Sequence, residues 1–300
     1  MIHLRSSILF IVVSGMLLCS SCSTCNRPEK LGNITVSLDS IQFDSDELYL
    51  LMSQKVIYAL PTPIEASMLI KDWGKPRPEL LNNPENVSGY LTKKKQALNF
   101  GIYTTDMATA GIYEQTQTVL RYKETIAQLV EAMGLQSAAD PKLMQKMEDN
   151  INNKNELLTI VSDLYASCTE FLSNDDRDFY ALAMLTGGWV EGMFIATNSI
   201  EDEGEASSLE KMKQIVHDNK QTFDVLWEEL GRLDDIPDEA VYLMLDMSYV
   251  AHLFGHETLV MASKRNDPKN DFSNVTRAYF DELKSHIHTL RQEFIKISVN

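Results

Sequence analysis

An all-α fold is predicted for this chain by three observations. Apolar residues recur at helical spacing over most of the sequence after residue 45, and capping signals divide that pattern into segments. Strand-period alternation never lasts more than a few residues, and no hairpin turn joins two such runs. The expected architecture is a single bundle-like domain of about nine helices with two very apolar ones at its centre.

The chain opens with a different kind of segment. Arg5 supplies a cation, Ile8 to Leu18 is apolar, and Cys19-Ser20-Ser21-Cys22 follows with small residues and thiols. This is the layout of an export signal, and the apolar run is well short of the roughly 20 residues that cross a bilayer. Ser20 and Ser21 before Cys22 resemble the lipobox of bacterial lipoproteins, in which the cysteine after small residues is acylated and becomes the new N-terminus. Cys19 and Cys25 follow Leu18 and Thr24, which are poorer small-residue sites. The expected division is therefore residues 1–21 as signal peptide, 22–44 as lipidated (palmitate-bearing) Cys22 and tether, and 45–300 as helical domain. Ordinary secretory cleavage near Ser21 to Thr24 is the alternative, and either route takes the mature chain out of the cytoplasm. Several acyl chains at about 0.8 kcal/mol per buried CH₂ give stable anchoring. No acidic run follows Cys22, which favours the periplasmic side of the outer membrane over display outside.

The helical elements follow in order. Ser45-Asp46-Glu47 opens a helix to about Ala59. Thr62, Pro63 and Glu65 form a capping box for the next, which stops at Gly74 before Pro76 and Pro78. A loop with Pro84 leads to a long pattern from Leu91 to Met133, with a break expected between Gly111 and Thr116 and a stop at Gly134. Asp140-Pro141 starts a short helix to Asn150, and Asn155-Glu156 starts another to Leu172. Ser173 to Asp176 cap a very apolar helix from Arg177 to Asn198. After an acidic loop, Ser207-Ser208 opens an amphipathic helix to Leu230. Pro237 begins a long apolar helix to about Ser263, Asp267 to Asn270 turn, and Ser273 caps the last helix to Ile297. Helices apolar all round belong in a core, so those around Trp189 and Met247 are expected at the centre.

Composition excludes some functions. With 27 Lys+Arg against 43 Asp+Glu the chain carries −16, which repels phosphate backbones and argues against nucleic-acid binding. Four cysteines, three of them near the signal, make no disulfide framework, and Cys168 reads as a small buried hydrophobe. No hydrolase elbow, phosphate loop or dinucleotide fingerprint occurs, and no cofactor is implied.

Three acids fall where the core should be: Asp106, Glu191 and Asp246. A buried carboxylate must be paired or hydrogen-bonded, so each is either a structural acid or part of a polar cleft. Tyr103 and Tyr113 share a helix face with Asp106, and Trp189 neighbours Glu191, which completes a candidate ligand pocket. Gly101, Gly111, Gly187, Gly188 and Gly192 each cost about 1 kcal/mol inside a helix, which close helix packing, above all at Gly188 and Gly192, or a ligand would have to offset. His252 and His256 stand i, i+4 on an apolar helix, a spacing that can chelate a metal, although His-Glu-x-x-His and Glu-x-x-His are both absent.

Several stretches together resemble an uncharacterised family of helical lipoproteins from Gram-negative gut bacteria. They are Leu60-Pro61-Thr62-Pro63-Ile64-Glu65, Ala97-Leu98-Asn99-Phe100-Gly101-Ile102-Tyr103 with Asp106, Tyr113-Glu114-Gln115, and Gly187-Gly188-Trp189-Val190-Glu191-Gly192. The resemblance implies an all-α fold and an envelope location and says nothing of substrate. The expected role is a lipid-anchored binding or interaction protein, attached to the membrane through its N-terminal lipid, with a small-molecule or protein partner in the envelope. An envelope enzyme using the buried acids, with or without a metal at His252 and His256, and a purely structural component are the alternatives.

Overall fold

Side-chain caps open several of the helices in a computed structural model that describes residues 77–200, 205–233, 236–256 and 275–297. Among these residues there are eight α-helices, two 3-10 helices and no strand, so the all-α bundle is the observed fold. The lipid site at Cys22, the tether, the two helices expected between Ser45 and Gly74 and the turn at Asp267 lie outside the described residues.

Two 3-10 turns, Pro78–Leu80 and Pro84–Gly89, lead into α1 (Lys93–Ile112), whose N-cap Thr92 accepts from the Lys95 N–H. The long pattern breaks within its expected window, at Tyr113 to Gln115, where Glu114 takes a φ of 58°. α2 (Thr116–Met133) ends at Gly134, whose left-handed φ of 72° suits a residue without Cβ. Asp140 caps α3 (Pro141–Asp149), and Asn153 rather than Asn155 caps α4 (Lys154–Asn174). The Ser173–Asp176 cluster closes α4 instead of capping the next helix: Asp176 adopts a φ of 53°, which Asp tolerates better than most residues. α5 spans Asp178–Ser199 and has no side-chain cap. α6 spans Glu205–Arg232, α7 spans Asp238–Leu253, and α8 spans Arg277–Ile295 with Thr276, not Ser273, as its cap.

α7 stops well before Ser263. Gly255 takes a φ of 90°, its N–H donates to the His252 carbonyl, and the His256 N–H reaches back to the Ala251 carbonyl at 2.9 Å. That is a glycine-terminated helix end, and it turns the chain away between the two histidines.

Packing is centred on α1 and α5. Every residue from Ala97 to Ile112 and from Ala181 to Thr197 is buried. α5 also touches α4, α6 and α8, while α2 and α4 cover α1, and α3 rests on α4. α5 is long and apolar enough to cross a membrane, yet 94% of its most apolar window is buried within the protein, as a core helix is. α7, the other helix expected at the centre, packs at the edge on α6 and α8 and turns Val241, Tyr242, Leu245 and Tyr249 outward.

The α1–α5 contact is possible because two glycines interlock. A Cβ at Gly101 would run into the Met184 carbonyl oxygen and come within 2.6 Å of the Gly188 nitrogen. A Cβ at Gly187 would strike the Leu98 carbonyl. Both obstacles are backbone, so neither can be relieved by a rotamer change. Threonines on these helices spend their hydroxyls inside their own turns: Thr104 on Phe100, Thr109 on Thr105 and Thr186 on Leu182. They can therefore be buried at the contact without an unsatisfied hydroxyl.

Gly187→Ala would gain about 1 kcal/mol of helix propensity in open solvent. Here it should instead lose about 3 kcal/mol or more, because overpacking against backbone forces α1 and α5 apart. Urea unfolding of Gly101→Ala and Gly187→Ala checks this, and unchanged midpoints would show that the helices do not depend on the close approach.

Candidate functional site

The interlocked glycines bring Asp106, one and a half turns past Gly101, next to Glu191, one turn past Gly187. Both carboxyls are completely buried. Between the helices they need a cation, and α8 supplies Arg291. Its Nε donates to Glu191 Oε2 at 2.6 Å and its Nη2 to Glu191 Oε1 at 2.8 Å, a two-pronged ion pair with 5% and 0% side-chain exposure. The guanidinium also lies over the Phe194 ring at 4.1 Å.

Asp106 is the second acid at this single cation. Burial and the adjacent Glu191 charge raise its pKa well above the usual carboxylate range, against the pull of Arg291 and the Asn82 N–H. Asp106 Oδ1 has no hydrogen-bond partner among the described residues, and its surroundings favour the protonated form of this acid over the ionised one. Burial works against the Arg291 charge, but the paired Glu191 carboxylate holds it in the ionised form. With Asp106 protonated, the cluster would hold one cation, one anion and one neutral acid.

The polar groups around this cluster converge on one stretch of backbone. Asp106 Oδ2 accepts from the Asn82 N–H at 3.0 Å. The Tyr122 hydroxyl donates to the Asn82 carbonyl and the Tyr103 hydroxyl to the Asn83 carbonyl, each at 2.9 Å. Arg291 Nη2 donates to the Leu80 carbonyl at 2.9 Å. The Asn82 side chain, 2% exposed, donates to Tyr90 Oη at 3.1 Å and Asn99 Oδ1 at 3.3 Å, and accepts from Asn86. Asn99 in turn donates to the Phe294 carbonyl near the end of α8. Burial and nearby negative charge push the Tyr103 and Tyr122 hydroxyls far up, so both remain donors.

The remaining expected site residues lie elsewhere. Trp189 faces α6, with Nε1 donating to the Asn219 carbonyl at 3.2 Å and its ring against Phe223 and Phe254. Tyr113 is half-buried at the far end of α1, about 10 Å along the axis from Asp106. Asp246 is exposed on α7, near Lys94, Lys95 and Glu293. His252 is half-buried in the last turn of α7, while His256, beyond the helix end, directs Nε2 to Asp224 Oδ1 at 2.8 Å. The Gly255 turn breaks the helical register that would have presented the two imidazoles together. Among the described residues no three His, Cys, Asp or Glu side chains gather as a metal site. Cys168 is buried, and burial pushes its thiol up to about 12, which makes it a packing residue rather than a nucleophile.

Arg291, Asn82, Tyr122 and Tyr90 belong to the site without being among the residues the sequence predicts for it. Arg291 did leave a signal. The apolar stripe of α8 runs Phe280, Leu283, Ile287, Leu290, Phe294, and Arg291 falls on it, one turn from Ile287. A charge on an apolar stripe requires a buried counter-ion. Asn82 and the tyrosines carry no such pattern, because their partners are backbone groups far away in sequence. No family model matches the chain, and neither a curated protein nor a solved structure matches it.

Two outcomes test the cluster. Arg291→Met should destabilise by about 3–5 kcal/mol in urea unfolding, since it strands the Glu191 charge, and adding Glu191→Gln should recover much of that loss. Asp106→Asn keeps the shape and the donor. The wild-type acid has its folded pKa raised, so its contribution is complete below the ordinary carboxyl pKa and is lost as pH rises through the folded value. The stability of Asp106→Asn relative to wild type should therefore climb with pH above about 4. A pH-independent difference would mean that folding does not raise the Asp106 pKa.

Proposed function

We propose that this protein is a lipid-anchored component of the bacterial cell envelope, facing the periplasm, that works by binding rather than by catalysis. The anchor reading rests on the export signal ending at Cys22 and on the similarity to envelope lipoproteins. The binding reading is supported most by one observation: Glu191 is committed to Arg291, and Arg291 and Asp106 Oδ2 both reach the backbone of Leu80–Asn83. With Tyr103 and Tyr122 they form a set of donors and acceptors that grips a peptide segment in extended or turn conformation. This is recognition chemistry, in which main-chain hydrogen bonds supply affinity and one side-chain niche supplies selectivity. The acidic surface keeps such a domain soluble and clear of anionic lipid headgroups beneath its anchor.

Palmitate labelling with membrane fractionation tests the anchor. The wild-type chain should carry label and sediment with membranes, whereas Cys22→Ser should be unlabelled and released into the soluble periplasmic fraction. Label and membrane association that persist in Cys22→Ser would overturn the assignment.

A further inference from the structure

We infer that Leu80–Asn83 is an intramolecular ligand, occupying a peptide-binding cleft between α1, α2 and α8 that can exchange it for an external peptide segment. The inference rests on the binding role proposed above and names the ligand class.

The cleft and its occupant differ in character. The cleft belongs to the most buried part of the fold: Asp106 and Tyr103 project from α1, Tyr122 from α2 and Arg291 from α8, all 4% exposed or less. Arg291, Tyr103 and Tyr122 are also held by contacts that do not involve the occupant. Arg291 is clamped by Glu191, and the Tyr103 ring packs on Tyr122 at 5.8 Å. The occupant is a connection between two short 3-10 turns, neither of which buries a residue. Leu80, Leu81 and Val87 are only partly covered, although they rest on the core. A segment with few buried apolar contacts and hydrogen bonds to a rigid scaffold opens more readily than the scaffold.

The recognition is also of the kind an external segment could satisfy. Four contacts go to main-chain groups, at Leu80 O, Asn82 N, Asn82 O and Asn83 O, and are blind to sequence. A single side chain is read: the Asn82 carboxamide, between Tyr90 and Asn99. The external ligand is thus a peptide that presents an asparagine in an irregular stretch. The segment's own covalent attachment gives it a high effective concentration, so an outside peptide competes only when the internal copy is loosened.

The test uses the full mature chain and a fluorescent synthetic peptide with the sequence of residues 77–90. Asn82→Ala in the protein loosens the internal copy. By anisotropy the peptide should bind this variant at least tenfold more tightly than wild type, and a peptide carrying Ala in place of Asn82 should bind several-fold more weakly. A folded variant, with its thermal transition retained, that binds neither peptide would overturn the proposal. If the variant does not fold, hydrogen exchange on the wild-type chain decides. Amides of residues 82–90 exchanging well before those of α1 and α5 support an exchangeable segment, and equal protection overturns it. Membrane fractionation reads the anchor separately, so failure here leaves that result unaffected.

Discussion

The approach of α1 to α5 through Gly101 and Gly187 is the constraint on which the rest of the structure depends. Each glycine faces backbone of the other helix, so the distance between the axes is set by main chain rather than by adjustable side chains. Close approach sets the register, and the register places Asp106 beside Glu191. Two carboxyls in a dry environment then dictate the rest: one must stay protonated, the other needs a cation, and α8 must pack where Arg291 can reach. The helix cost of the glycines is offset by the packing they permit.

The buried polar cluster connects packing to function. An apolar replacement of similar volume could pack as well or better, since buried ion pairs seldom add net stability. What an apolar core could not do is bind the backbone of Leu80–Asn83. The cluster orients Asp106 and Arg291 so that their remaining hydrogen-bonding capacity points at one segment, and Tyr103 and Tyr122 complete it. Under the proposed binding role, this arrangement would be a recognition surface turned on the protein's own chain.

Some expectations failed for definable reasons. Ser173–Asp176 looks like an N-cap and acts as a helix stop, because Asn and Asp serve both ends and only the left-handed turn at Asp176 distinguishes them. His252 and His256 have chelating spacing, but the helix ends between them at Gly255, a stop signal visible in the sequence and outweighed by the apolar run. α7 has the composition of a core helix and lies at the edge, whereas α1, full of Thr, Asn and Gly, is central. Its threonine hydroxyls are satisfied within their own turns, which hydropathy does not register.

Local chemistry determined the all-α class, most helix boundaries and the presence of acids in the core. Those features depend on spacing and capping between residues a few positions apart, and they are written in the chain. The partner of Glu191, the raised pKa of Asp106 and the separation of Asp246, Trp189 and Tyr113 from that pair were decided by tertiary structure. They depend on which helix faces which, across 100 residues of sequence between Glu191 and Arg291. A single chain records a charge that needs a partner, but only the packed helices say which partner comes within reach.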